Sequence, residues 1–169
     1  MGELLLAAVI VLADQLSKSA AVELAARQGS TVLIPGVIGL TCTYNYGASW
    51  SILAGKTVFL LVITALVCTA IFIALLLKKP GDTLARLALG MVLGGAVGNA
   101  LDRLADGFVT DMIETLFMNF PVFNVADCFI TIGGVLFCLS VLLEERAARR
   151  KTAIAGKEAG DGAGTDRGA

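Results

Sequence analysis

Two aspartates carry the chemistry that this sequence can offer. Asp127 stands in Phe123-Asn124-Val125-Ala126-Asp127-Cys128, at the mouth of an apolar segment that runs to Leu143. A carboxylate is costly there, because ionisable groups in membrane helices are rare and face a polar interior. It needs a partner, and the nearest upstream candidate is Asp111 in Val109-Thr110-Asp111-Met112-Ile113. Two carboxylates that meet cannot both ionise readily, so one holds a proton while the other stays charged. The charged member can take a proton from water while the neutral one hydrogen-bonds a carbonyl under attack. That is peptide hydrolysis without metal, histidine or covalent intermediate.

Composition narrows the field. The 169 residues are 57% hydrophobic and 16% charged, with mean hydropathy +0.84, so the chain reads as an integral membrane protein of one domain. Histidine is absent, which removes Ser-His-Asp and Cys-His arrangements and His-rich metal sites. The net charge of −1, with no basic stretch interleaved with aromatics, argues against nucleic acid as a partner. Cys42, Cys68, Cys128 and Cys138 show neither a disulfide framework nor metal-ligand spacing and are expected to be buried small apolar residues. Two rival chemistries stay open at this point. Asp102 and Asp106, four apart, could hold Mg²⁺ in a lipid phosphotransferase, although such sites use more carboxylates. Intramembrane carboxylates could also relay protons in an ion-coupled transporter, but no acidic residue lies deep in the second or third span.

The elements that must position these groups are four apolar spans, expected at about 4–22, 57–77, 84–102 and 125–143. The first begins with a signal-peptide-like run at 4–13, but Glu3 stands where a positive residue is wanted, and Asp14 and Lys18 interrupt a cleavage region. Asp14 and Lys18, four apart, share a helix face and can neutralise each other. The second span alone, about twenty apolar residues at roughly 1.5 Å each, can cross a hydrocarbon core of about 30 Å. In the third, Gly90, Gly94 and Gly98 form a stripe, with Gly95 beside it, that lets helices approach closely. The stripe leads to Asn99, Asp102 and Arg103. The fourth carries Thr131 and Gly134 on the Asp127 face.

Loops at 23–56 and 103–124 join the spans on one side. Thr31 to Thr43 is rich in β-branched and turn residues and is expected to form short strands. Tyr44, Tyr46 and Trp50 place this loop against the headgroup region. At its centre, Asn45-Tyr46-Gly47-Ala48-Ser49 could hydrogen-bond an extended peptide or could simply be a turn. The segment 151–169, rich in Gly and Ala, is expected to be a disordered tail beyond a 1–150 membrane domain. Lys78, Lys79 and Arg86, with Arg146, Arg149, Arg150 and Lys151, put both termini in the cytoplasm; Lys18, Arg27, Lys56 and Arg103 are spread over the longer loops opposite. Asp14, Asn45, Asn99, Asp102, Arg103, Asp111, Asn124 and Asp127 then fall at one membrane depth and read as one site.

Five stretches in order, Asp14 to Lys18, Asn45 to Ser49, Gly94 to Arg103, Val109 to Ile113 and Phe123 to Asp127, make nearly the whole chain resemble lipoprotein signal peptidase, or signal peptidase II. Met112 departs from the aromatic expected after the first aspartate. The resemblance implies four transmembrane helices with a small extracytoplasmic β-rich loop in the bacterial cytoplasmic (inner) membrane. It implies an aspartic endopeptidase, a target of globomycin, that cleaves a prolipoprotein before its diacylglyceryl-modified cysteine. Asp111 and Asp127 would be catalytic. Asn45, Gly47, Asn99, Arg103 and Asn124 would contact substrate backbone and dyad, with Asp14, Lys18 and Asp102 in support. No cofactor or metal is expected, the partners are lipid-modified substrate and membrane lipid, and the chain is expected to work as a monomer.

Overall fold

The computed structural model of the chain describes residues 1–48, 52–79 and 82–164, with side chains as far as residue 150. Four helices, α1 (Gly2–Gln28), α2 (Thr57–Leu76), α3 (Thr83–Ala105) and α4 (Val125–Gly164), are each long and apolar enough to cross a membrane, α4 over Val125–Arg150. This is a helical membrane protein. Strands β1 (Thr31–Ile34), β2 (Ile38–Asn45) and β3 (Val109–Thr115) form one antiparallel sheet in the order β1-β2-β3.

Helix α3 is the central post and packs against α1, α2 and α4. The glycine stripe explains how. A Cβ added at Gly90 would lie 2.8 Å from Glu3 O, and one at Gly94 the same distance from Ala7 O. At Gly95 it would lie 2.5 Å from Ala126 O. Backbone therefore touches backbone on both sides of α3, the packing that small residues permit. On α4 the closely packed glycine is Gly133, 2.7 Å in the same sense from Ala88 O; Gly134, beside it, has nothing within 4 Å.

Helices α1, α3 and α4 overrun their expected bounds. Helix α1 continues from the expected Val22 to Gln28, where Gly29 takes φ +71 and returns its N–H to Ala25 O. Ala20, Ala21, Ala25 and Ala26 cost little in a helix, and a helix already nucleated extends through such residues beyond the hydrocarbon. The α4 backbone is helical as far as Gly164. Residues 165–169, Ser49, Trp50, Ser51, Pro80 and Gly81 lie outside the described residues, including the expected headgroup contact of Trp50.

Strand β3 was expected only as connection. It pairs with β2 so that Thr43 faces Asp111 and Asn45 faces Val109, which makes Asn45 and Asp111 diagonal neighbours on the sheet. Gly107, at φ +82, turns the chain from α3 into this strand. After β3 the chain returns through Phe123, whose carbonyl accepts from the N–H groups of Met112 and Ile113. That return sets Asn124 beside Asp111. Met112, the departure from an aromatic, is 2% exposed and fills its place. The cysteines differ from expectation: Cys42, on β2, is only partly buried, as are Cys68 and Cys128, and Cys138 is exposed; on the helices an apolar face toward lipid needs no protein cover.

Candidate active site

Asp127 occupies the third position of α4, and its carboxylate is part of the cap that starts that helix. Asn124 Oδ1 accepts from Asp127 N–H at 2.9 Å, and Asp127 Oδ2 accepts from Asn124 N–H at 3.3 Å. This is a reciprocal capping box with Asp in the acidic position. Asp14, from α1, satisfies the next free donor, since its Oδ1 accepts from Ala126 N–H at 2.9 Å. An anion at a helix N-terminus is favourable, and Asp14 has no exposed surface.

The two carboxylates share this cap. Asn124 Nδ2 donates to Asp111 Oδ1 at 2.7 Å and to Asn99 Oδ1 at 3.1 Å. Asn99 Nδ2 in turn donates to Asp127 Oδ1 at 2.8 Å, and Asn45 Nδ2 to Asp111 Oδ2 at 3.1 Å. Each carboxylate thus receives two N–H donors. Burial first, and then the charge of Asp127, push the Asp111 carboxyl up to about 6, against the bonds from Asn45 and Asn124. Asp111, outside the membrane helices, therefore keeps a proton more readily than an ordinary carboxylate.

Beneath the dyad lies a buried charge cluster. Lys18 Nζ meets Asp14 Oδ2 at 2.8 Å, Asp102 Oδ2 at 2.9 Å and Asn99 Oδ1 at 2.9 Å. Three acceptors meet the three protons of an ammonium that is 4% exposed as a residue. Asp102 also accepts from Thr110 N–H at 3.0 Å, which ties β3 to α3 beside Asp111. Its other oxygen accepts from Gln15 Nε2 at 2.8 Å. Both oxygens of Asp102 are committed to these donors, so the Asp102–Asp106 magnesium reading has no support in the donor set.

Arg103, the next polar residue of α3, donates from Nη2 to Gly47 O at 2.7 Å. Gly47 N–H is held by Asn45 Oδ1 at 2.9 Å. The Asn45 stretch is thus a turn and a contact to the dyad at once. A cavity of about 580 Å³ opens over the site, lined among others by Asp111, Asp127, Asn99, Arg103, Phe123 and Thr131. Thr131 shares the Asp127 face as expected. Every residue anticipated for the site lies within this connected set. Sequence reading missed Gln15, which joins Asp14, Asp102 and the Gly98 carbonyl, and Thr110, which contributes its backbone. The signal for Gln15 was its place between Asp14 and Lys18.

Two carboxylates joined through one asparagine over a largely apolar cavity, one on β3 and one at the start of a membrane helix, suit an aspartic peptidase. The family described as Signal peptidase (SPase) II matches residues 6–143. The chain belongs to the signal peptidase II family. It is 39% identical over 145 residues to a lipoprotein signal peptidase of Enterococcus faecalis, over 86% of this chain and 90% of the relative. It is 41% identical over 145 residues to one of Brevibacillus brevis, covering 86% and 97%. A solved structure described as a bacterial membrane enzyme, determined by the in meso method at 2.3 Å resolution, superposes with a TM-score of 0.76 at 31% identity. It covers 85% of this chain and 89% of that one. As a signal peptidase II, the chain is an aspartic endopeptidase that works in a membrane.

Proposed function

We propose that Asp111 and Asp127 are the catalytic dyad and that the peptidase removes the signal peptide of a prolipoprotein, cutting before a cysteine that carries diacylglycerol. The observation that carries the reading is the shared cap: one asparagine, Asn124, bonds both carboxylates where they border one cavity. Asp111 holds the proton, because its carboxyl is pushed up to about 6, and substrate filling the cavity expels more water and raises it further. Asp127 takes a proton from a water molecule, whose oxygen then attacks the scissile carbonyl carbon. Asp111 stabilises the developing oxyanion through its proton. As the C–N bond breaks, the proton held on Asp127 passes to the leaving amine.

The apolar floor of the cavity along α4 suits a lipid tail. Asn45, Gly47, Asn99, Arg103 and Asn124 supply polar atoms for an extended peptide, and Asp14, Lys18 and Asp102 hold the site from below. The basic turn after α2 and the basic end of α4 support cytoplasmic termini, which puts the dyad at the outer face of the bacterial inner membrane. One chain supplies every group in the site, so a monomer suffices.

The test is cleavage of a diacylglyceryl-modified prolipoprotein by purified protein in detergent, with wild type, Asp111→Asn and Asp127→Asn compared and a chelator in parallel. Loss of activity in both folded variants, with none from the chelator, is the expected result. Normal cutting by either variant overturns the dyad.

A further inference from the structure

Lys18 bonds neither dyad carboxylate among the described residues, yet it reaches Asp127 through one side chain, Asn99, and Asp111 through two, Asn99 and Asn124. Its contact is the Asn99 amide, which lies between an ammonium and a carboxylate. We propose that Lys18 is a positioning residue for the reaction: its ammonium fixes the orientation of the Asn99 amide, and so keeps N–H donors rather than carbonyl oxygens turned toward the dyad. This rests on the dyad assigned above.

Asn99 Oδ1 receives Lys18 Nζ at 2.9 Å and Asn124 Nδ2 at 3.1 Å, while its Nδ2 serves Asp127 Oδ1. Turning that amide over would press Nδ2 against two donors, one of them a buried cation. With the turn forbidden, Asn124 keeps its second proton on Asp111 at 2.7 Å. Each carboxylate then has its close donor at Oδ1, at 2.7 Å for Asp111 and 2.8 Å for Asp127. The donors to Oδ2 are longer, at 3.1 and 3.3 Å. The Oδ2 atoms, with the longer donors, are then the ones left to carry a proton. Without the cation, protonation of Asp127 at Oδ1 would be stabilised by a turned Asn99 carbonyl, and the proton would be held away from the reaction. The other charged groups around this relay are Asp14 on α1 and Asp102 and Arg103 on α3. Asp14 and Asp102 face the ammonium directly.

Removing Lys18 alone would leave two buried carboxylates without a cation, so the test uses an Asp102→Asn background, in which the double variants carry the same net cluster charge as wild type. In that background Lys18→Met and Lys18→Gln are compared for cleavage of the lipidated prolipoprotein. Both lack the cation and both lose the ion pair with Asp14, but only glutamine retains an N–H for Asn99 Oδ1. The expected result is a kcat several-fold and up to about tenfold higher for glutamine at similar KM, the change one net hydrogen bond supplies at about 1.4 kcal/mol per factor of ten. Equal kcat in two folded variants overturns the proposal, since loss of charge alone treats them alike. If the methionine form does not fold, nuclear Overhauser contacts of the Asn99 Nδ2 protons in ¹⁵N-labelled wild type decide. Contacts that stay with Asp127 on acidification support the proposal, and contacts that move to the Lys18 methylenes overturn it. Asp127→Asn in the same assay separates the two readings: if it cuts at the wild-type rate, the dyad itself fails and this proposal falls with it.

Discussion

Asn124 and Asp127 bond each other twice, amide oxygen to backbone N–H and backbone N–H to carboxylate, so the start of α4 and the aim of a dyad carboxylate are one structure. Asn124→Ala removes the cap and a donor to Asp111 together. The lost cap, with the Asp127 N–H and Asp111 Oδ1 left without their partner, should lower stability by about 2 kcal/mol. Activity should fall about a hundredfold or more, far beyond what the folded fraction explains. Thermal melts and cleavage rates in the same detergent check both, and activity that merely tracks the folded fraction would refute the link.

The pH profile follows from Asp111. With its carboxyl near 6 in the free enzyme, kcat/KM should fall as pH rises through about 6, where the dyad loses its shared proton. Asn45 donates to Asp111 Oδ2 and so favours the charged form. Asn45→Ala must then move this limb to higher pH. A limb that moves down would sink the assignment of Asp111 as proton holder.

Stability should depend on pH through the same group. Its carboxyl is higher in the folded chain than the ordinary 3.8, so between about 4 and 6 the folded state binds more protons than the unfolded one. Stability from this group is therefore fully present below about 4 and is lost as pH rises through 6. Asp111→Asn removes that loss. Melting temperatures at pH 4.5 and 7.5 should diverge, with the variant ahead of wild type at the higher pH on the order of a few degrees and the gap closing at the lower.

Two glycines offer a contrast in packing. A methyl at Gly95 would meet Ala126 O at 2.5 Å and must push α4, with Asp127, away from α3. Overpacking of this kind costs about 1–3 kcal/mol. Gly95→Ala should lower the melting temperature and reduce kcat, whereas Gly134→Ala, with open space at the same test position, should be neutral or slightly stabilising. Equal effects at the two positions would mean that contact with α3 does not set the dyad.

The sequence announced the four helices because a membrane span must be long and apolar, and it announced the site because ionisable groups in such a chain are conspicuous. Strand β3 was less legible. Val109 to Met112 are buried in succession, so the alternation that marks a half-exposed strand is absent, and Asp111 breaks the β-branched run. Gly133 and Gly134 could not be told apart, because neighbouring residues on a helix differ by a rotation that only packing reveals. Gln15 looked like an ordinary polar residue until Asp14 and Asp102 came to lie on either side of it.

The bond from Ala126 N–H to Asp14 Oδ1 joins residues 112 positions apart. During synthesis α1 enters the bilayer first, with Asp14 and Lys18 neutralising each other one turn apart. The N-terminus that Asp14 will later hold does not yet exist, and neither do Asn99, Asn124 or either dyad carboxylate. The dyad acquires its geometry only when the last helix docks against the first. On the proposed dyad, docking of the helices is therefore the step that completes the site.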